Sequence, residues 1–369
     1  MSQNLVPQKQ NPAPQKKYRV IQWATGVVGS AALKHFIENP VIELVGVLVT
    51  NPDKVGKDAG DLVDLPKTGV LATNDIEQII ALDADGVHFA PIVTDVDVIC
   101  RLLRSGKNVV SPAGPFVPNK YFQAESDKIE AACLEGGTSY HGCGVHPGFS
   151  GDILPLTLTR LMNRVDHIAV TEFIDKDRNP MIYTEMMGFG SDADELLAKP
   201  RRAPDTWRYF YQSMEMIAEG LGKEIEKVTS KFEVAKATKD IPYTLGAGRT
   251  GGGVIKQGTV GGQHYAWTAW VDGKPLITYH FYWSMGADIE PQWDIDSRYQ
   301  VTIDGDPPLE VRLMSPADAN GVRPFLGLPW TGLLGATALP AVCDSEPGIV
   351  THVDLGVVQT RGLVRPKMS

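Results

Sequence analysis

The chain has 369 residues, 43% of them hydrophobic and 21% charged, with a formal net charge of −9. That is a globular composition, long enough for two domains with substantial cores. It offers no basic block to neutralise phosphates, no run of about 18 apolar residues to cross a membrane and no apolar N-terminal segment to act as a signal, so neither a nucleic acid nor a membrane is an expected partner.

Residues 1–16 are rich in Gln, Asn and Pro and poor in large apolar side chains, which predicts a disordered tail. From Tyr18 to Trp23 the chain reads as a buried β-strand. Ala24, Gly26 and Gly29 then fall in the places of a G-x-G-x-x-G fingerprint, with alanine for the first glycine. Val28, Ala31, Ala32, Leu33, Phe36 and Ile37 recur at helical spacing behind it. A pyrophosphate needs free backbone N–H groups at a helix start, and glycine lets the chain come close enough to offer them. The expected phosphate contacts are Ala24, Thr25, Gly26, Val27, Val28 and Gly29.

A second buried strand follows at Ile42–Val49. No acid stands directly at its end to accept from a ribose 2′-hydroxyl. Thr50 and Asn51 suit either a hydroxyl or a phosphate, and Lys54 could meet a 2′-phosphate. Asp53 is the rival reading, and Lys54 and Lys57 also read as solvated loop charges. The cofactor is therefore NADP or NAD.

The unit repeats: strands at Gly69–Thr73, Asp85–Ala90 and Lys107–Ser111, helices at Ile76–Leu82 and Val93–Ser105. Such alternation predicts an α/β fold with a doubly wound parallel sheet of Rossmann type. Ligands bind at the carboxyl ends of such strands, which adds Ala90, Pro91, Ser111, Pro112 and Ala113 to the cofactor contacts. His88, inside a strand pattern, reads as a core histidine. Helix Lys120–Glu135 and strand Ser139–Cys143 lead to Gly144-Val-His-Pro-Gly-Phe149, and Ser150 is placed to cap a helix over Gly151–Asn163. This junction is the expected hinge between a nucleotide domain over 17–148 and a second domain over 149–334.

Beyond the hinge the texture changes. Val165–Asp175 is a long strand, Trp207–Leu221 a helix and Lys231–Lys236 a strand. Val254–Val260, Gln263–Val271 and Leu276–Ser284 alternate strongly, with Asp272-Gly273 as a hairpin turn. Tyr299–Ile303 and Leu309–Leu313 form another pair. This predicts an α+β domain on a mostly antiparallel sheet. The glycine-rich run 246–262 precedes strand rather than helix, so it reads as a hairpin connection and not as a second phosphate loop. Gly335–Val342 reads as a final helix. Cys100, Cys133, Cys143 and Cys343 are scattered without C-x-x-C pairs, which fits a reduced cytoplasmic protein without a structural metal. Nothing near Cys143 marks it as an activated nucleophile.

The order of Trp23-Ala-Thr-Gly-Val-Val-Gly29, Gly106-Lys-Asn-Val-Val-Ser111, Gly144-Val-His-Pro-Gly-Phe149, Met187-Gly-Phe-Gly190, Gly258-Thr-Val-Gly-Gly-Gln-His264 and Ala338-Leu-Pro-Ala-Val-Cys343…Pro347-Gly-Ile-Val350 resembles the dihydrodipicolinate-reductase-like superfamily. It is most similar to the branch of 2,4-diaminopentanoate dehydrogenase and the native NAD(P)H-dependent amine dehydrogenases. The resemblance implies a second domain that supplies the substrate pocket and subunit contact of a homodimer. It also implies a C-terminal segment, about 335–369, that returns to the nucleotide domain. The implied reaction is hydride transfer between nicotinamide and a C=N carbon of a small-molecule carbonyl, imine or amine substrate.

Two departures bear on mechanism. Relatives that aminate ketones carry a glutamate in the loop after the fifth strand, where this chain has Ser111-Pro-Ala-Gly-Pro-Phe116. Their Asn-Pro-Gly-Phe turn is here His146-Pro147-Gly148-Phe149. Hydride transfer to an iminium needs no proton at that moment, whereas transfer to a ketone leaves an alkoxide that does. His146 is the expected substitute acid/base at the cleft mouth, since histidine is the side chain whose unperturbed titration falls near neutrality; the other reading is that it only bonds cofactor or backbone. Tyr140 and Tyr183 are further catalytic candidates, followed by His141, Glu185 and His264. Carbonyl reduction without ammonia is the alternative activity, and a catalytically silent nucleotide sensor the third.

Overall fold

The computed structural model describes residues 16–176, 187–198, 207–244, 252–319, 321, 323, 324 and 326–364. Residues 1–15 of the expected tail lie outside them, as do Tyr183 and Glu185.

The first half alternates strand and helix. The elements are β1 (Tyr18–Trp23), α1 (Val27–Glu38), β2 (Ile42–Leu48), β3 (Ala72–Thr73), α2 (Ile76–Ala81), β4 (Gly86–Phe89), α3 (Val96–Arg104), β5 (Asn108–Ser111), α4 (Gln123–Gly136) and β6 (Ser139–Gly142). Local chemistry sets their ends. Asp75 caps α2 and Asp95 caps α3, each accepting two backbone N–H groups. Gly106, at φ +84°, takes the left-handed turn that follows α3. Helix α3 buries Ile99, Cys100, Leu102 and Leu103 on one stripe and leaves Arg101 and Arg104 outside.

The second half contains α5 (Ile153–Leu158), β7 (Arg164–Asp175), α6 (Ala193–Ala198), α7 (Trp207–Gly220), β8 (Lys227–Ala237), β9 (Ile241–Thr244), β10 (Gly252–Ile255), β11 (Val260–Val271), β12 (Lys274–Ser284), β13 (Ile289–Glu290), β14 (Arg298–Asp306) and β15 (Leu309–Leu313). The chain ends with α8 (Gly327–Cys343), β16 (Gly348–Ile349) and α9 (His352–Leu355).

Two seven-stranded sheets result. The first has the order β16-β6-β5-β4-β1-β2-β3, and every pair in it is parallel. The second has the order β13-β8-β11-β12-β7-β14-β15. It is antiparallel except between β12 and β7. The doubly wound sheet and the mostly antiparallel sheet are both as expected. The β11–β12 turn has Asp272 and Gly273 at φ +50° and +72°, the signs a two-residue hairpin turn requires. Within the glycine-rich run, β10 pairs antiparallel with β9, and 245–251 lie outside the described residues.

Each sheet buries its own core. The first packs Ile21, Val87, Phe89 and Val109 against Ile99, Leu102 and Leu103 of α3. The second packs Ile168, Val170, Tyr279, Phe281, Val301 and Ile303 against Tyr211, Met214 and Ile217 of α7. Helix α8 starts eight residues before the expected Gly335, and it lies on the first sheet. Its face of Gly332, Gly335, Ala336 and Leu339 is fully buried. A Cβ at Gly332 would strike the Val28 carbonyl of α1, and one at Gly335 would stand 2.7 Å from His88 Nε2. Small residues thus let α8 press backbone to backbone on α1. Strand β16 then adds to β6 at the sheet edge.

One expected cap is corrected. Ser150 does not cap a helix over 151–163; its hydroxyl donates to the Val145 carbonyl. Asp152 is the cap, and α5 ends at Leu158 because a 3-10 turn takes over at Thr159.

Candidate active site

The corner after β1 is held open by backbone geometry. Ala24 sits at φ +68°, where a residue with a Cβ is strained. Two bonds hold it there: its N–H donates to the Leu48 carbonyl at 2.8 Å, and Gln22 Nε2 donates to its carbonyl at 2.8 Å. Gln22 Oε1 in turn lies 3.0 Å from His88 Nδ1, so His88 is the core residue expected. A Cβ at Gly29 would strike the Ala24 carbonyl, which makes this glycine obligatory for the corner. Gly26 differs: a Cβ there meets nothing within 4 Å. It is the N-cap of α1, no side chain caps that helix, and its first turn carries no acid. The first-turn N–H groups of α1, which have no partner within the helix, begin at exposed Gly26 and Val27. These residues fit a dinucleotide, and the obligatory Gly29 is the feature that tests it.

The loop after β2 folds back over this corner. Lys54 Nζ donates to the Thr25 carbonyl at 2.8 Å and to Thr25 Oγ1 at 3.1 Å. Burial, with Lys57 nearby, lowers the Lys54 pKa. Asn51 uses its side chain to accept from Asp53 N–H, and Thr50 is exposed beside it. Ala90 and Pro91 are half-buried at the end of β4, with Ala90 N–H on the Trp23 carbonyl at 3.1 Å. The loop after β5 is braced within itself. Ser111 Oγ donates to the Gly114 carbonyl at 2.6 Å, and Thr94 Oγ1 to the Ala113 carbonyl at 2.7 Å. Pro112 lies half-buried between them.

Tyr140 is fully buried, and its hydroxyl donates to the Pro115 carbonyl at 2.8 Å. Burial raises its pKa well above the ordinary value. The geometry thus makes it a brace for the 111–116 loop, not the catalytic group expected. His141 is equally enclosed, against the Val350 carbonyl at 2.7 Å. His264 lies on the other face of the second sheet, 2.9 Å from Glu233 and stacked on Tyr282 at 3.9 Å.

His146 is also placed differently from the expectation. Its side chain is 1% exposed, not at an open mouth. The ring stacks on Phe281 at 5.0 Å and meets Phe210 and Tyr279 edge-on at 5.1 and 5.0 Å. The turn that carries it is clamped by buried Asp152, which accepts from Gly148 N–H at 2.7 Å and Ser213 Oγ at 2.6 Å. A Cβ at Gly151 would strike the imidazole. Both ring nitrogens are buried without a hydrogen-bond partner among the described residues.

Sequence reading missed Glu172. Glu172 Oε2 is 3.8 Å from His146 Nδ1, and its Oε1 accepts from Trp283 Nε1 at 2.8 Å. The available signal was an acid at an inward position of the alternating strand Ile168, Val170, Glu172, Ile174.

Helix α8 joins these parts. Gly332 backs onto Val28, Thr331 Oγ1 accepts from Val145 N–H at 3.3 Å, and Trp330 lies 6.4 Å from the Tyr299 ring. Three consecutive residues thus touch the nucleotide corner, the His146 loop and the second sheet. No group of three or more metal-ligating side chains is assembled among the described residues. No helix among them is long and apolar enough to cross a membrane.

No family model matches the chain. It is 29% identical over 367 residues to an amine dehydrogenase of Streptomyces virginiae, covering 95% of this chain and 99% of that protein. It is 27% identical over 165 residues to a 4-hydroxy-tetrahydrodipicolinate reductase of Mastigocladus laminosus, covering 42% of this chain and 56% of that one. Among solved structures, an amine dehydrogenase from Mycobacterium smegmatis superposes with a TM-score of 0.75 at 17% identity, over 94% of this chain and 98% of that one. GenD2 from gentamicin A biosynthesis, in complex with NAD, gives a TM-score of 0.52 at 15% identity, over 95% and 93%. The chain is thus similar to an amine dehydrogenase over nearly its whole length and has a Rossmann-type fold, in line with its motif order.

Proposed function

We propose that the protein is an NAD(P)H-dependent oxidoreductase of the amine dehydrogenase-like group, reducing the C=N carbon of a small or medium substrate. The observation that carries this is the β1–α1 corner: Gly29 admits no side chain, and α1 begins without a side-chain cap. Similarity to an amine dehydrogenase over 95% of the chain supports the reaction class. Ala24–Gly29 would hold the diphosphate, Thr50, Asn51 and Lys54 the adenosine ribose, and Ala90, Pro91 and Ser111–Ala113 the nicotinamide side. A bound nicotinamide supplies the hydride. The position of Lys54 favours NADP over NAD.

Loop 111–116 offers no carboxylate, so proton handling falls to the enclosed group around His146. Rings from α7, β12 and β14 keep water away from it, which strengthens any charge interaction made there. We further infer a nucleotide domain over 17–148 completed by the C-terminal segment, a second domain that lines the substrate pocket, a homodimer, and a cytoplasmic location consistent with four free cysteines.

The test mixes protein, NADPH or NADH, ammonium and a panel of ketones and cyclic imines, and follows nicotinamide absorbance in both directions. Turnover that requires ammonium or a preformed imine is expected. Equal rates without ammonium would replace this reading with ammonia-independent carbonyl reduction.

A further inference from the structure

Glu172 is 6% exposed, at the register position where β7 meets Tyr299 of β14 and Phe281 of β12. One oxygen is fixed by the Trp283 indole at 2.8 Å. The other lies 3.8 Å from His146 Nδ1, too far for a hydrogen bond. The imidazole beside it has no partner for either nitrogen among the described residues. A buried imidazole beside a buried carboxylate is costly unless something satisfies it, and among the described residues nothing hydrogen-bonds either nitrogen of this one.

The surroundings say what kind of group would do so. Phe281, Phe210 and Tyr299 gather around His146, and Trp283 touches Glu172. A fixed carboxylate among ring faces suits an organic cation. Lys176, the residue after β7, lies 4.4 Å over the Trp283 ring, and burial, opposed by the Glu172 charge, brings its pKa down to about 8. Helix α8, which backs onto α1 at Gly332, contacts Tyr299 through Trp330 and the His146 loop through the Thr331–Val145 bond.

We infer that Glu172 binds the nitrogen of a protonated imine or amine substrate and exchanges its proton, the work for which loop 111–116 has no carboxylate. This rests on the C=N reading given above. In the reductive direction a proton from water passes by way of the Glu172 carboxylate to the nitrogen of a neutral imine. The resulting iminium carbon accepts a hydride, and with it two electrons, from the reduced nicotinamide nucleotide, which is thereby oxidised. The product is a neutral amine, and Glu172 is again the carboxylate that it was at the start. His146 is the positioning residue that faces its second oxygen.

The experiment is calorimetric titration of the NADP⁺-loaded full chain with cyclohexylammonium chloride, with cyclohexanol as the uncharged control, beside imine-reduction kinetics. Wild type should bind the ammonium and not the alcohol. Glu172→Gln should weaken ammonium binding at least about tenfold and lower imine turnover by roughly 10²-fold or more, with NADPH affinity unchanged. Glu172→Asp should restore part of both. Should Glu172→Gln not fold, Trp283→Phe, which frees Oε1 and keeps the charge, should shift ammonium affinity at least about threefold. Ammonium binding that is absent in wild type, or unchanged in the variant that folds, overturns the inference. Imine turnover by wild type alongside such a result would leave the C=N reading standing, whereas ammonia-independent ketone reduction alone would remove that reading as well.

Discussion

Lys54 reaches across from the loop after β2 and donates to both the carbonyl and the hydroxyl of Thr25. A cation therefore stands over the glycine corner, where an NADP 2′-phosphate would need one. A charge-assisted bond of this kind is worth roughly 1.5–3 kcal/mol. Lys54→Ala should weaken NADPH about 10- to 100-fold and NADH by much less, as measured by calorimetry. Equal losses for both nucleotides would show that Lys54 only braces the loop.

Gly26 and Gly29 should respond differently to one methyl group. A Cβ at Gly29 meets the Ala24 carbonyl, whereas a Cβ at Gly26 meets nothing within 4 Å and the backbone there is extended at φ −75°. Gly29→Ala should cost about 1–3 kcal/mol of stability through overpacking. Gly26→Ala should leave the chemical denaturation midpoint near wild type and still weaken NAD(P)H, because its methyl occupies the approach to the α1 amides. A Gly26→Ala protein that binds NAD(P)H normally would move the diphosphate elsewhere.

These two glycines also show how much of the molecule was legible in its sequence. The strand-turn-helix order around them follows from local patterning, because hydrophobic period and turn residues act over a few positions. The same holds for the parallel series that follows and for the Asp272-Gly273 hairpin. The site was less legible. His146 was visible as an unusual residue in a glycine-rich turn, but its burial depends on Phe210, Tyr279 and Phe281, which are distant in sequence. Glu172 looked like one more polar residue in an alternating strand, and only the pairing of β7 with β12 and β14 encloses it. Tyr140 failed in the opposite sense: its neighbourhood in sequence suggested the cleft, yet strand alternation turned it inward onto the Pro115 carbonyl.

Tyr140→Phe separates bracing from chemistry. Loss of the hydroxyl leaves the Pro115 carbonyl without that donor, at a cost of about 1 kcal/mol. Turnover at saturating substrate should stay within about threefold of wild type, since a lost acid or base would remove roughly 10²-fold or more. A loss of that larger size with normal stability would return Tyr140 to the catalytic group.

Stability should fall on mild acidification because two core histidines are held neutral. Burial, with a neighbouring histidine in each case, lowers His88 and His141 to about 3, below an unfolded value near 6.5. Between those values the unfolded chain binds more protons than the native one, so stability is present above pH 6.5 or so and is lost as pH falls. Each histidine should remove about 1.4 kcal/mol per pH unit across that window. Denaturation at neutral pH and near pH 5 measures the slope, and His88→Phe should reduce it by one proton. A slope unchanged by that substitution would show that His88 is protonated in the native protein.

His146 is packed tightly enough that its ring shape and its nitrogens must be tested apart. His146→Ala removes a ring that contacts Phe210, Tyr279 and Phe281, and should cost about 2–5 kcal/mol as a core truncation. His146→Phe keeps the ring volume and deletes only the nitrogens, so it should fold with near-normal stability. Its imine turnover should nonetheless drop by roughly 10²-fold, because Glu172 Oε2 loses the imidazole that faces it at 3.8 Å. NADPH affinity should be unchanged in both variants, since the ring lies among the aromatics of the second sheet and not at the Ala24–Gly29 corner. Normal turnover in His146→Phe would mean that the imidazole serves only to fill the aromatic box.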